Sequence, residues 1–236
     1  MYFFYAEDVS CHQTVCLNKD ESRHCTRSLR KKNGDKVFVT NGKGNLFEAE
    51  VVDDNMNQTI LLPIQEISSP FARNYHLRMA VSPLKNPDRF EWFVEKAVEI
   101  GVDEIVPIIC HRTEKSVLKM DRLNRIAMAA MKQSMKTILP RIYEPQKISD
   151  FLETTSMDET NLMAWCETSK EVHIGKKISN SKKLTILIGP EGDFTKEEVD
   201  LAISKSFIPI SLGASRFRSE TAAVLACHHV FLADIK

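Results

Sequence analysis

The sequence predicts an α/β fold in two parts: a small β-barrel over residues 1–70 and a larger domain with a parallel sheet over residues 71–236. Three observations carry this. Up to residue 70 the apolar runs are short, alternate with polar residues and are broken by turn residues, which is a strand pattern. From residue 71 short β-type runs alternate with stretches of helical period, which implies strands joined through crossover helices. Near the C-terminus two glycine-bearing loops each follow an apolar strand and precede a helix. Two strand ends therefore open in one short region, where α/β sheets build ligand sites.

In the first part, Lys36–Thr40 and Leu46–Val52 flank Asn41-Gly42-Lys43-Gly44. Asn-Gly between two such runs is a hairpin signal, because both residues accept the positive φ of a tight turn. Leu61–Ile67 supplies another strand, and Ser68-Ser69-Pro70 reads as the linker. In the second part, His76–Val81 is a strand and Ser82–Pro87 a loop. The helix that follows places Phe90, Phe93, Val94, Ala97 and Val98 on one face and stops at Gly101. Asp88 and Glu91 fit a capping box at its start. Glu104–Ile109 is the next strand. Asp121–Lys136 is a helix with an apolar face of Leu123, Ile126, Ala127, Ala130 and Met131. Asn161–Trp165 and Leu184–Ile188 are buried-type strands. Thr195 and Glu198 form a second capping box, opening a helix that runs to Lys205. Phe207–Ser211 is the last strand and Ser219–Ile235 the last helix.

The 236 residues carry no net formal charge and are 43% hydrophobic, a composition with a real core and no bulk preference for an anionic partner. Locally the charge is uneven. Residues 19–36 hold seven Lys and Arg against three acids, and residues 110–147 hold nine against three. Such segments suit phosphate contacts or plain solvated faces. Arg23, Arg27, Arg30, Lys31 and Lys32 are the candidates in the first window. Arg112, Lys115 and Lys136 are those in the second. The N-terminal stretch lacks a signal peptide's basic start and apolar run, and no apolar run is long enough to span a bilayer. The expectation is a cytoplasmic protein whose six cysteines are free thiols. Cys11, His12, Cys16, His24 and Cys25 lack the paired spacing of a structural metal site, so no metal is expected.

Gly189-Pro190-Glu191-Gly192 follows an apolar strand directly. Glycines there let backbone amides approach a ligand, and proline stiffens the turn. The spacing is neither the dinucleotide fingerprint nor a phosphate loop, which disfavours nucleotide phosphates. Leu212-Gly213 follows the last strand, with Arg218, Glu220 and Thr221 close behind. Trp165-Cys166-Glu167 ends a third strand at the same sheet edge. Each loop taken alone also fits a structural turn.

Taken together these segments resemble the RsmE family, the 16S ribosomal RNA N3-uridine methyltransferases. GPEGDFTKEE from Gly189 is similar to the family's GPEGG-F-x-x-E-E loop, and SLGASRFRSETAA from Ser211 to its LG-x-x-x-LR-x-ETA motif. Gln133-Ser134 with Pro140 matches its QS-x-R…P signature. Lys96 and Glu99-Ile100-Gly101 match its K-x-x-ELG helix. Arg30-Lys31-Lys32, Gly34-Asp35 and Asn41-Gly42-Lys43-Gly44 resemble its N-terminal VLR-x-x-x-GD…DGKG pattern. Three positions depart: Asp193 stands at the family's second loop glycine, Lys136 at its arginine, and Phe217 at an aliphatic residue.

The resemblance implies an N-terminal PUA-like barrel that binds RNA and a C-terminal SPOUT methyltransferase domain with a deep trefoil knot. It implies a homodimer, S-adenosylmethionine as methyl donor, and 16S rRNA of the small ribosomal subunit as substrate. The donor would be held by three loops: Trp165, Cys166 and Glu167; Ile188 with Gly189, Pro190, Glu191 and Gly192; and Leu212, Gly213, Phe217, Arg218 and Thr221. Gln133, Ser134 and Lys136 would join the basic residues in contacting RNA. Methyl transfer is an in-line displacement that relies on positioning. Uridine N3 carries a proton at neutral pH, so a carboxylate (Glu191, Glu220 or Glu167) must accept it or a cation must stabilise the developing anion. The expectation is Arg218 as that cation, with Glu220 orienting it. Two rival readings are an RNA-binding assembly factor without chemistry and a related methyltransferase acting on another RNA. A third, a nucleotide-binding module, is disfavoured by the loop spacing.

Overall fold

A computed structural model describes residues 3–178 and 181–234, so the predicted end of the last helix at Ile235 lies outside the described residues. The chain divides into two compact units. One holds everything up to Ala72 together with Met128–Leu139; the other holds Arg73–Ala127 and the chain from Pro140 onward.

The first unit is built on five strands: β1 (Phe3–Tyr5), β2 (Val15–Cys16), β3 (Lys36–Thr40), β4 (Leu46–Asp53) and β5 (Ile60–Ile67). They form an open half-barrel sheet in the order β1-β3-β4-β5-β2. β1 runs parallel to β3 and the other pairs are antiparallel. The alternation in β3 and β4 sends Val37, Val39, Phe47, Ala49 and Val51 into one core with Phe4 and Leu61. The short helix α1 (Lys19–Arg23) is capped by Asn18, whose Oδ1 accepts from the Asp20 and Glu21 amides at 3.0 and 2.9 Å. A wide turn over His24–Ser28 follows and buries Cys25, whose thiol is pushed up to about 11 by desolvation. The β3–β4 connection follows the hairpin prediction. Asn41 Oδ1 accepts from the Lys43 amide at 2.8 Å, and Gly42 has φ +72°. A β-carbon on Gly42 would sit 3.0 Å from Tyr5 Cε2 and 3.1 Å from Leu139 Cβ, so this turn requires glycine on both counts.

The second unit is a parallel sheet flanked by helices. Its strands are β6 (His76–Val81), β7 (Glu104–Ile109), β8 (Arg141–Ile142), β9 (Gln146–Lys147), β10 (Thr160–Ala164), β11 (Lys183–Ile188) and β12 (Ile208–Ile210). The order is β12-β10-β11-β6-β7-β8, with β9 also paired to β7. Every pairing is parallel. The helices are α2 (Pro87–Ile100), α3 (Met120–Gln133), of which the part from Met128 on belongs to the first unit, α4 (Ile148–Glu153), α5 (Lys196–Ser204) and α6 (Ser219–Asp234). On one face, Ala80, Val106, Met163 and Leu187 pack against Phe151, Val199 and Ala202 of α4 and α5. On α2 all five predicted core residues are buried, and α2 packs on α6. Each fully buried phenylalanine or valine contributes roughly 1.5–3 kcal/mol from area removed from water.

Two predicted helix ends shift, each for a local reason. The cap of α2 is Asn86, whose Oδ1 accepts from the Asp88 amide at 3.0 Å, rather than an Asp88–Glu91 box. Pro87 sets the first helical position, so the cap falls one residue before it. Glu91 instead pairs with Arg122 at 2.6 Å. α3 stops at Gln133 instead of Lys136. The Lys136 amide reaches back to Met131 O at 2.9 Å and the Met135 amide to Lys132 O at 3.2 Å, with Met135 at φ +57°. This is a Schellman end, and it cannot be extended.

The start of the second unit is fixed by one nearly buried ion pair. Arg73 Nη1 and Nη2 donate to Asp103 Oδ2 and Oδ1 at 2.5 and 2.8 Å, and Oδ2 also accepts from the Leu77 amide at 2.7 Å. The two side chains are 10% and 12% exposed. The Arg73 guanidinium also lies 4.9 Å over the Tyr75 ring, whose hydroxyl donates to Gly101 O at 3.0 Å. Removing one member of such a pair strands the other charge. Asp103→Ala is expected to cost about 3 kcal/mol, read as a lower urea midpoint at unchanged slope. A loss below about 0.5 kcal/mol would mean that the pair behaves as a surface bridge.

Candidate functional site

Because β10 lies between β11 and β12, the loops after these three parallel strands leave the sheet side by side. The first is Trp165–Thr168, closed by a Thr168 amide bond to Trp165 O at 3.1 Å. The second is Gly189–Phe194, where the Asp193 amide donates to Pro190 O at 2.9 Å and Asp193 itself takes φ +60°. The third starts at Ser211, which is bracketed by the Val172–Ile174 stretch. The Ser211 amide donates to Val172 O at 2.9 Å, and the Ile174 amide donates to Ser211 O at 3.1 Å. The helix after the second loop starts at the predicted capping box, with the Thr195 and Glu198 bonds both made.

These loops enclose a cavity of about 470 Å³. Trp165 and Cys166 line it from the first loop. Ile188, Gly189, Pro190, Glu191 and Gly192 line it from the second, and Leu212, Gly213 and Phe217 from the third. All ten were singled out in the sequence. Glu167, Arg218 and Thr221 are not among the lining residues. Glu167 and Arg218 are exposed, and Thr221 lies half-buried on α6. Sequence reasoning missed Thr168, Lys170, Asp193, Ser211 and Arg216, which also line the wall. Asp193 carried a signal, since it interrupts a glycine motif. The wall thus carries cations (Lys170, Arg216) and carboxylates (Glu191, Asp193) around a floor of backbone and apolar groups.

The second loop is tied from three directions. Arg112 Nη1 donates to Gly192 O at 2.6 Å and to Phe194 O at 3.4 Å. Its side chain covers Gly192 so closely that a β-carbon there would lie 3.1 Å from Arg112 Cδ. Glu191 Oε1 accepts from the Lys85 amide at 3.1 Å. Asp193 Oδ2 accepts from the Cys166 amide at 3.0 Å, and Oδ1 from the Phe194 amide at 2.9 Å. Burial, and after it the Asp193 carboxylate, push the Cys166 thiol above its ordinary range.

The pairing expected between Arg218 and Glu220 is not what the structure shows. Glu220 is buried, and its ionic partner is Arg89 on α2, at 3.7 Å. Residues two apart at a helix start point to different sides, so Arg218 and Glu220 diverge. Among the described residues Arg218 has no side-chain hydrogen bond or ion pair. It stands between Phe217 and Ser219, both of which line the cavity.

The residues expected to meet RNA divide. Arg23, Arg27, Arg30 and Lys32 are exposed, with Arg27 Nη2 against Met56 Sδ at 3.2 Å and Lys32 3.7 Å from Asp54. Lys31 Nζ donates to Lys36 O at 3.2 Å. Lys115 and Gln133 are exposed. Ser134 Oγ donates back to Ala130 O at 2.7 Å, and Lys136 Nζ lies 5.2 Å over the Phe71 ring. Arg112 is engaged by the second loop, as described.

Residues 72–230 match the family model of an RNA methyltransferase domain, and residues 17–60 that of an RNA methyltransferase PUA domain. Ribosomal RNA small subunit methyltransferase E of Rickettsia conorii is 30% identical over 92% of this chain and 88% of its own length. The crystal structure of a probable rRNA-methyltransferase from Porphyromonas gingivalis superposes with a TM-score of 0.89 at 34% identity, covering 100% of this chain and 99% of that one. Ribosomal RNA small subunit methyltransferase E from Neisseria gonorrhoeae, solved bound to S-adenosyl methionine, has the same fold. Its TM-score is 0.87 at 24% identity, over 96% of this chain and 95% of that one. The model match over most of the chain and the near full-length relatives agree with the cavity's architecture: this chain belongs to the RNA methyltransferase family that includes ribosomal RNA small subunit methyltransferase E.

Proposed function

We propose that this protein methylates N3 of a uridine in 16S rRNA of the small ribosomal subunit, with S-adenosylmethionine as donor. The observation that carries the reading is the three-loop cavity, formed by the motif residues of a family whose named relatives act on small-subunit RNA. Its volume of about 470 Å³ lies within the range of small-molecule sites. Its lining fits the donor: close backbone at Gly189 and Gly213, apolar walls at Ile188 and Leu212, and carboxylates for an ammonium. The donor supplies an electrophilic methyl on a sulfonium. The chain's own groups do the rest. The Gly189–Gly192 and Leu212–Gly213 backbones hold and orient the ligand, and the ties from Arg112 and Lys85 keep that backbone from relaxing.

Arg218 is the proposed electrostatic residue. Its guanidinium is unengaged beside the cavity and can stabilise the anion that forms as uridine N3 loses its proton. Glu220 positions Arg89 instead, and of the predicted proton acceptors Glu191 lines the cavity. The target base must be unpaired or extruded to present N3. The exposed Arg23, Arg27 and Arg30 on the first unit are proposed as phosphate contacts, with the unit as the RNA-binding domain. Residues 71–236 are proposed as the methyltransferase domain. The trefoil knot fits the path of α6, which leaves edge strand β12 and packs back on α2, β6 and β11. No helix among the described residues is long and apolar enough to cross a membrane, and we place the protein in the cytoplasm, where its substrate is assembled.

A homodimer through exposed apolar residues of α2 and α6 is part of the same proposal. Trp92 on α2 and Leu232 on α6 are 42% and 48% exposed, and the apolar residues of α6 are not confined to one face but lie on every side of the helix. A helix of that kind is ordinarily covered on every side. Leu232→Glu is expected to convert a dimer to a monomer in sedimentation velocity; a wild-type monomer would overturn the dimer reading.

The main test is methyl incorporation from labelled S-adenosylmethionine into small subunits lacking their native methylation, followed by nucleoside identification. N3-methyluridine in 16S rRNA is the expected product; a methyl on another nucleoside or on ribose would favour the rival target. In the same assay Arg218→Ala should lower kcat by about 10²–10³-fold while donor affinity stays within about twofold. Equal loss of both would place Arg218 in donor binding. Arg30→Glu should weaken RNA binding and flatten its salt dependence, the slope changing by about one unit or more, with donor affinity unchanged. An unaltered salt slope would remove Arg30 from the phosphate contacts.

A further inference from the structure

We propose that Asp193 is a positioning residue that latches the first cavity loop to the second, and so shapes the cavity for its ligand before the ligand arrives. The inference rests on reading the cavity as the S-adenosylmethionine site. It adds a role for a side chain that stands where related loops carry glycine.

Asp193 sits at φ +60°, a left-handed conformation that glycine adopts freely and that costs other residues about 1–2 kcal/mol. Aspartate tolerates this region better than most residues because its carboxylate bonds local amides. Here one oxygen does so: Oδ1 accepts from the Phe194 amide at 2.9 Å. The other oxygen does something local turn chemistry does not require. Oδ2 accepts from the Cys166 amide at 3.0 Å, 27 positions away in sequence. Cys166 and Asp193 both line the cavity, as do Trp165 and Gly192 beside them. The contact therefore holds two walls of one cavity at a fixed separation. A hydrogen bond to a charged acceptor is worth more than a neutral one, so this is a stronger clip than a backbone pair would be.

Two further observations agree. A β-carbon on Gly189 would lie 3.4 Å from Asp193 Oδ1, so the carboxylate also packs against the first residue of its own loop. The Cys166 thiol feels the same carboxylate: Asp193 raises its pKa after burial has done so, Glu167 adds to the rise, and Arg216 opposes it. The thiol thus reports whether the latch is closed.

A purely conformational role and a latch make opposite predictions for Asp193→Gly. If Asp193 only occupies a left-handed turn, glycine relieves strain and binding holds or improves. If Asp193 is a latch, glycine removes the clip between the loops and binding weakens. We expect Asp193→Gly to raise the Kd for S-adenosylmethionine, by isothermal titration calorimetry, about tenfold. The KM for the donor should rise with it and kcat should hold. Asp193→Asn has one acceptor oxygen for two amides and should fall between the two. Cys166 alkylation by iodoacetamide should shift to lower pH in both variants, since the carboxylate that adds to burial in raising the thiol's pKa is gone. A Kd for Asp193→Gly within about twofold of wild type overturns the latch whatever the thiol does. A raised Kd with an unshifted alkylation profile overturns it too, because the loss would then not run through Cys166. Failure of the wild-type protein to bind S-adenosylmethionine is a separate result: it overturns the donor reading of the cavity, and the latch with it.

Discussion

The site depends on where β10 sits. Strands in a parallel sheet present their C-terminal ends on one edge, and neighbours lie about 4.8 Å apart. With β10 hydrogen-bonded to β11 on one side and β12 on the other, the three following loops emerge within roughly 10 Å of each other. No long connection has to reach across the sheet to complete the cavity. The apolar run in each strand drives this arrangement, since Leu162, Met163, Ile186, Leu187 and Ile210 are fully buried and must be covered on both faces. The chemistry of the loops is then free to be polar and strained, because the strands beneath them carry the stability.

Held strand ends do not by themselves make held loops. The Gly189–Phe194 loop has few side chains of its own to pack, and its glycines would leave it mobile. The structure answers with bonds brought from elsewhere: Arg112 on its carbonyls, the Lys85 amide on Glu191, and the Asp193 carboxylate on the Cys166 amide. Each of these reaches from the end of a different strand, β7, β6 or β10. The loop is thereby fixed relative to most of the sheet edge. That pre-organisation matters for a transfer reaction that needs alignment and little else.

The sequence was legible where a pattern repeats and opaque where a single side chain chooses among partners. Period alone located the five buried residues of α2 and the boundaries of β6 and β7. Two capping boxes looked alike on paper. Thr195 with Glu198 makes both bonds, but Asp88 with Glu91 is pre-empted by Pro87, which moves the cap to Asn86. Of the residues that line the cavity, the loop glycines and their immediate neighbours were found. Lys170 lies outside every recognisable motif, and Arg216 stands at a position that the SLGASRFRSETAA motif leaves open, so neither was distinguished from an ordinary surface cation. The Arg218–Glu220 pairing failed for a geometric reason: adjacency in sequence is not adjacency around a helix.

Arg112 shows most clearly how charge misleads when it is counted along the chain. It belongs to the most basic window of the sequence and remains exposed, so composition and burial both assign it to a phosphate surface. Its hydrogen bonds assign it to the Gly192 and Phe194 carbonyls. An arginine committed to two carbonyls has spent its preferred donor geometry, and a phosphate could recruit it only by releasing the loop that lines the cavity. Any RNA contact at Arg112 would therefore couple to the cavity, whereas Arg23 and Arg30 carry no such link. The distinction separates charges that attract a substrate from charges that hold the machinery in place, and only the bonding pattern reveals it.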